Sequence, residues 1–233
     1  MSNREAWIAR CALAGLSWPG QDCALCGAQS GSELLCAACA GNLPVLPECC
    51  PRCALPSPRG SLCGACLADP PHFDGTVALW AYEFPSDRLV QALKYRAWLG
   101  LAPFFARRLA SRSLPAVDLI VPMPQHPHRL AQRGFNQALE IARSLARHNG
   151  VPLEARGAKR IKNTVAQTDL PYEERARNVR GAFAARIDFS GKTVAVVDDV
   201  MTTGASLNEL ARVLKRAGAA GVHNLVVARA VLR

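Results

Sequence analysis

Past residue 75 the apolar and polar positions fall into alternating strand and helix patterns. Thr76 to Phe84 reads as a strand, Arg88 to Ala97 as an amphipathic helix carrying Leu89, Val90 and Leu93, and Pro103 to Leu109 as a second helix. Val117 to Val121 predicts a short buried strand stopped by Pro122, and Phe135 to His148 a helix with Leu139, Ala142, Leu145 and Ala146 on one face. A basic segment from Lys159 and a polar helix near Glu173 follow. Thr193 to Val197 is an unbroken apolar run of strand length, Ser206 to Ala217 reads as a helix, and Val222 to Ala228 as a final strand. Strands alternating with helices in this way predict an α/β fold, a parallel sheet with helices on both faces.

Before the Pro70-Pro71 pair that pattern is absent, and cysteine takes its place. All ten cysteines lie between Cys11 and Cys66, and eight form two copies of one spacing. The first copy is Cys23, Cys26, Cys36 and Cys39; the second, 27 residues later, is Cys50, Cys53, Cys63 and Cys66. Two thiolate pairs on tight turns, separated by a short hairpin, can close a tetrahedron around Zn²⁺ at about 2.3 Å per sulfur. Gly27 after Cys26, Pro51 inside the Cys50/Cys53 turn and Gly64 inside the last pair are the turn residues this needs. The spacing fits either consecutive sites or a cross-braced exchange of pairs. Cys11 and Cys49 fall out of register and read as spectators, and neither site has an open position, so both zinc ions are expected to be structural. The expected domains are a helical N-terminal segment (1–20), a double zinc ribbon (21–70) and an α/β domain (76–233).

Charge divides the chain at the same place. Residues 1–75 hold 4 Lys/Arg against 6 Asp/Glu, and residues 76–233 hold 24 against 12. The α/β domain is therefore strongly basic and calls for an anionic partner. No stretch reaches the roughly 20 apolar residues of a spanning helix, and the apolar run after Arg10 ends in Trp18-Pro19-Gly20 without a small-residue cleavage site. A cytoplasmic protein without membrane insertion is expected.

Ligands of parallel sheets bind at the carboxyl ends of the strands. There the run Thr193 to Val197 leads into Asp198, Asp199, Val200, Met201, Thr202, Thr203, Gly204, Ala205 and Ser206, and then a helix. A loop of hydroxyls and one glycine at a helix N-terminus is an anion site, because unpaired N–H groups and the positive dipole end converge there. Adjacent carboxylates would repel a phosphate and suit sugar hydroxyls one step away. A phosphate beside a diol is a ribose 5-phosphate. The segment Val194 to Ser206 resembles the 5-phosphoribosyl-1-pyrophosphate (PRPP) signature of type I phosphoribosyltransferases.

The likeness extends along the chain. Two four-cysteine repeats, Ala92-Leu-Lys-Tyr-Arg96, Val121-Pro-Met-Pro124, Arg133-Gly-Phe-Asn-Gln137, Gln167, the run from Arg175 through Asn178 to Gly181-Ala-Phe183, and the PRPP loop stand in the order of the competence protein F (ComF) family, which the chain resembles from about residue 20 onward. The resemblance implies a type I phosphoribosyltransferase-like domain preceded by a small zinc-ribbon module. It also implies a link to natural transformation, DNA uptake and the handling of imported single-stranded DNA, with PRPP, single-stranded DNA and other competence proteins as partners.

By the same resemblance Asp198 and Asp199 are the acids that hold the ribose, Thr202, Thr203, Gly204, Ala205 and Ser206 the 5-phosphate loop, and magnesium accompanies PRPP. Pyrophosphate falls to the segment Pro122 to Gly134, with Arg129 and Arg133 as cations and Gly134 allowing close approach. Arg129 reads equally as a solvated charge. His126 and His128 read as surface residues, and Lys94 and Arg96 as ligand contacts or as surface cations with buried stems. Lys159 to Thr164 and Gln167 occupy the place of a hood over the site, which Arg175 and Asn178 would anchor. No residue identifies an acceptor, so PRPP is either turned over, as in a pentosyl transferase, or only sensed. The competing reading is a DNA-binding protein in which the cationic domain and Trp80, Tyr82, Tyr95, Trp98, Phe104 and Phe105 form a stacking groove, most of these aromatics being more simply core.

Overall fold

A computed structural model describes residues 20–163 and 174–231, with two compact units, residues 1–42 and 43–233. Among its described residues the first unit carries Cys23, Cys26, Cys36 and Cys39 and one short helix, α1 (Ala37–Gly41), whose N-terminus is capped by the Cys36 side chain. The second opens with the other four cysteines and helix α2 (Gly64–Ala68), and continues into the α/β core. Strands are β1 (Gly75–Ala81), β2 (Leu119–Pro122), β3 (Ala158–Arg160), β4 (Phe183–Ala185), β5 (Thr193–Met201) and β6 (Gly221–Arg229). The remaining helices are α3 (Ser86–Arg96), α4 (Leu101–Ala110), α5 (Pro127–Arg133), α6 (Gln137–Asn149), α7 (Glu174–Val179) and α8 (Ala205–Arg216). The expected segment 1–20 falls almost wholly outside the described residues, as do Cys11, Thr164 and Gln167.

Four strands form a parallel sheet in the order β1-β6-β5-β2, and β3 and β4 pair as a separate antiparallel hairpin. Successive side chains of a strand point to opposite faces. Val194 and Val196 of β5 pack with Leu207, Leu210, Ala211 and Leu214 of α8, while Ala195 and Val197, also fully buried, face the side against which α6 packs. The sheet is thus covered on both faces. Its outer edges are blunted: Ala81 N–H donates to Pro44 O beside β1, and Ile120 N–H to Pro152 O beside β2.

Most boundaries shift by one or two residues, and three of the differences have a clear physical reason. β1 stops at Ala81, because the backbone turns there and the buried Ser86 hydroxyl donates to the carbonyls of Ala81 and Glu83. Pro122, expected to end β2, is its last residue, tolerated because an edge strand has one unpaired side. β5 continues past Val197 to Met201, keeping register with β6 through Asp198–Val226 and Met201–Arg229.

Candidate functional site

An open cleft of about 200 Å³ lies at the carboxyl ends of β2 and β5. Its walls include Lys94, Arg129, Arg133, Arg160, Asp198, Asp199, Thr202 and Ser206, with Tyr82, Tyr95, Gln125 and Gln137. Seven residues singled out from the sequence therefore converge: Asp198, Asp199, Thr202, Ser206, Arg129, Arg133 and Lys94. Thr203, Gly204 and Ala205 complete the loop between Thr202 and Ser206 without lining the cleft. Arg96, His126 and His128 do not line it either; His126 caps α5 instead, its Nδ1 accepting from the His128 N–H.

Because β5 extends through both acids, Asp198 and Asp199 leave on opposite faces of the sheet. Asp199 shares the face of Ala195 and Val197. Its carboxylate stands 3.4 Å from the Lys94 ammonium on the last turn of α3 and accepts from the Gln137 side-chain amide on the first turn of α6 at 3.2 Å. The Asp199 charge raises the Lys94 pKa against the opposing effect of burial. Gln137 in turn accepts from the Gln125 amide at 2.5 Å, so one chain of contacts runs Lys94, Asp199, Gln137, Gln125. Asp198 occupies the other face. Burial first, then the Asp199 charge, push its carboxyl up to about 8, against the pull of the Asp199 N–H bond, Lys94 and Arg160. The two neighbouring acids thus sit in different surroundings, Asp198 shifted upward by burial and by its neighbour's charge, Asp199 paired with a cation.

The loop that follows turns at Gly204, whose φ of 83° lies in the left-handed region. A Cβ there would also stand 2.6 Å from Met201 Cε, so glycine is required twice over. The Thr203 hydroxyl accepts from Ala205 N–H at 3.2 Å, and Asn208 N–H returns to Gly204 O at 2.8 Å, which starts α8.

The segment between Pro122 and Gly134, assigned above to pyrophosphate, is largely helical rather than a loop. Pro127–Arg133 is helical, with His126 as cap and Gly134 closing it at φ 81°. No residue of α5 is buried, so no apolar period announced it. The helix presents Arg129 and Arg133 to the cleft, and the Arg133 guanidinium lies 5.7 Å from the centre of the Tyr95 ring. Among the described residues of the basic segment, Arg160 alone lines the cleft. It rests over Phe183 of β4 at 5.4 Å, and burial and the charge of Arg129 lower its pKa. Lys162 donates to Arg180 O instead, and Glu209 of α8 fastens the segment by accepting from Gly181 N–H. Arg160 and Gln137 are the residues sequence reasoning left without individual roles. Alternation along β3 points to Arg160, whereas nothing local announced a buried glutamine at a helix start.

Each four-cysteine set gathers its Sγ atoms within 4.8 Å of one another, in consecutive rather than cross-braced order. Cys26 and Cys36 sulfurs are 3.8 Å apart and Cys53 and Cys63 sulfurs 3.6 Å, close to the roughly 3.8 Å edge of a tetrahedron with about 2.3 Å bonds. The first turns also repeat. Gly27 N–H returns to Cys23 O and Ala54 N–H to Cys50 O, and both residues have positive φ, 74° and 56°. At Cys50, backbone N–H groups outweigh burial and draw the thiol down to about 6. Donor set and spacing fit zinc, and with four sulfurs per site the metal would serve as a structural tie.

Of the aromatics considered as stacking faces, Trp80, Phe104 and Phe105 are buried against one another. Tyr82 lines the cleft, and Tyr95 and Trp98 are exposed. Among the described residues no helix is long and apolar enough to cross a membrane.

Fold and site define a zinc-ribbon protein with a phosphoribosyltransferase-type domain. Residues 13–67 match the double zinc ribbon domain family, and residues 130–231 the phosphoribosyl transferase domain family. The chain is 34% identical over 197 residues to the DNA utilization protein YhgH of Salmonella typhi, covering 81% of this chain and 87% of that protein. It is 31% identical over 209 residues to competence protein F of Haemophilus influenzae, covering 84% and 90%. The chain belongs to the competence protein F and YhgH family. Among solved structures, the glutamine PRPP amidotransferase of B. subtilis is 23% identical, with a TM-score of 0.40 over 55% of this chain and 26% of that one.

Proposed function

We propose that the protein binds PRPP together with Mg²⁺ in the cleft between β2 and β5 and acts in the cytoplasm, in the use of imported DNA. The observation that carries this reading is the convergence on one cleft of an acidic pair, Thr202 and Ser206 at the two ends of a hydroxyl and glycine loop that opens a helix, and four cations. The loop from Thr202 to Ser206 takes the 5-phosphate through backbone N–H groups. Asp198 and Asp199 accept from the ribose hydroxyls. Lys94, Arg129, Arg133 and Arg160 offset the charge of the pyrophosphate end, and Mg²⁺ arrives with the substrate. If pyrophosphate departs, the charge developing on it is met by these cations. The sugar transition state is oxocarbenium-like, so no protein nucleophile is needed.

The role in DNA use is supported by the names of the relatives, competence protein F and DNA utilization protein. The exposed Tyr95 and Trp98, beside the cations of a basic domain, supply stacking faces for single-stranded DNA. Other competence proteins are the expected partners. Pyrophosphate release, followed with PRPP, Mg²⁺ and candidate acceptors, tests the chemistry: release makes the protein a transferase, and binding without release makes it a sensor.

A further inference from the structure

The side chain of Arg229, at the end of β6, is buried, and its residue is 3% exposed. A guanidinium cannot shed its charge, so it must be solvated by acceptors inside the protein. Its acceptors include carbonyls from two distant parts of the chain and one from the next residue. Nε donates to Cys53 O at 2.8 Å, and Nη1 donates to Met201 O at 3.0 Å, to Thr202 O, and to Ala230 O at 2.7 Å. Cys53 is a member of the second four-cysteine cluster, whereas Met201 and Thr202 lead into the loop at the cleft. One buried cation therefore joins the backbone of the cysteine cluster to the backbone of the loop.

Packing reinforces the joint. Cys50, Cys53 and Cys66 share one buried cluster with Phe73, Met201 and Leu207. A Cβ at Gly204 would meet Met201 Cε first and Phe73 Cζ next. The loop is thus seated on side chains continuous with the second cysteine set.

We propose that Arg229 is a positioning residue through which metal occupancy of the second cysteine cluster sets the order of the Thr202 to Ser206 loop, and with it the affinity for a phosphorylated sugar. The affinity half rests on the PRPP reading; the ordering half does not. With four thiolates tied to one ion, the Cys53 carbonyl is fixed and Arg229 is held at both ends. Without the ion, the carbonyl loosens and the loop loses a fixed anchor. A lysine at position 229 has a single nitrogen without the fork of a guanidinium, so it cannot hold both ends at once.

The experiment compares wild type, Cys66→Ser, Arg229→Lys and the double variant, with Cys36→Ser as control for loss of metal elsewhere. Zinc content, hydrogen exchange of peptides covering 198–206, and calorimetric PRPP affinity are measured on each. Arg229→Lys should keep both zinc ions yet exchange faster at 201–206, a pattern that general unfolding would not produce. Cys66→Ser should lose one ion and show the same faster exchange at 201–206. Each should weaken PRPP binding by about tenfold, within the usual range of coupling between sites, and the double variant should weaken it little further. Unchanged exchange at 201–206 in Arg229→Lys, with the loop as ordered as in wild type, overturns the proposal whether or not Cys66→Ser folds. Absence of PRPP binding in wild type removes the PRPP reading instead, while the exchange data still decide the coupling.

Discussion

The Lys94 ammonium stands 3.4 Å from the Asp199 carboxylate, tying the last turn of α3 to the end of a central strand. The pair is only partly screened, with side-chain exposures of 25% and 11%, so removing one partner strands a charge in a half-buried place. Lys94→Met should lower unfolding stability by about 1–2 kcal/mol, between the values for exposed and buried pairs. A urea-denaturation cycle with Asp199→Asn should show the two changes to be non-additive. Additivity would mean that the two charges do not interact.

Asp198 provides a pH signature. Its carboxyl titrates at about 8 in the folded protein against an ordinary value of 3.8, so between those values the unfolded chain releases a proton that the folded one keeps. The acid's contribution to stability therefore falls as pH rises from about 4 to about 8 and is level above that. Asp198→Asn removes this loss and should raise Tm at pH 8, the gain shrinking toward pH 4. Thermal melts of the ligand-free protein at both pH values check it; an equal shift at both would show that the proton is not involved.

The paired turns of the cysteine clusters make a third test. Gly27 holds φ 74° with open space where a Cβ would stand, so alanine there meets backbone strain alone, about 1 kcal/mol. Gly27→Ala should weaken zinc retention at the first cluster about fivefold in a chelator competition, with two zinc ions still bound at saturation. Elemental analysis finding none would remove the metal assignment altogether.

Tyr95 and Trp98 are 68% and 40% exposed, which leaves faces for bases. Replacing either with alanine should cost about 1 kcal/mol or more of single-stranded DNA affinity without changing its salt dependence, because stacking carries no charge. Wild-type affinity should fall with salt at a slope of about −0.7 per phosphate contact. Binding that ignores salt, or none at low salt, would contradict the DNA reading.

Much of this architecture is legible in the sequence, for reasons tied to particular residues. The repeated cysteine spacing announces two four-thiolate sites, because each Cys-x2-Cys turn supplies half of a tetrahedron, while their consecutive pairing shows only in the structure. The apolar run of β5 and the amphipathic α6 and α8 are long enough for their period to show. Shorter pieces are silent. β3 and β4 have three residues each, and α5 buries none of its own. The continuation of β5 through Asp198 and Asp199 is masked by the acids themselves, although it sends them to opposite faces. Arg229 looks like a surface cation after a strand; only the fold brings the carbonyls of Cys53 and Met201 to it.

The central claim is tested most directly by calorimetric titration of the zinc-loaded protein with PRPP and Mg²⁺, beside Gly204→Val. Valine at Gly204 must adopt φ 83° and crowd Met201 Cε, so the loop cannot keep its shape. Wild type should bind one equivalent of PRPP and Gly204→Val none, with both proteins retaining two zinc ions. Undiminished binding by Gly204→Val, or no heat from wild type, would contradict the account.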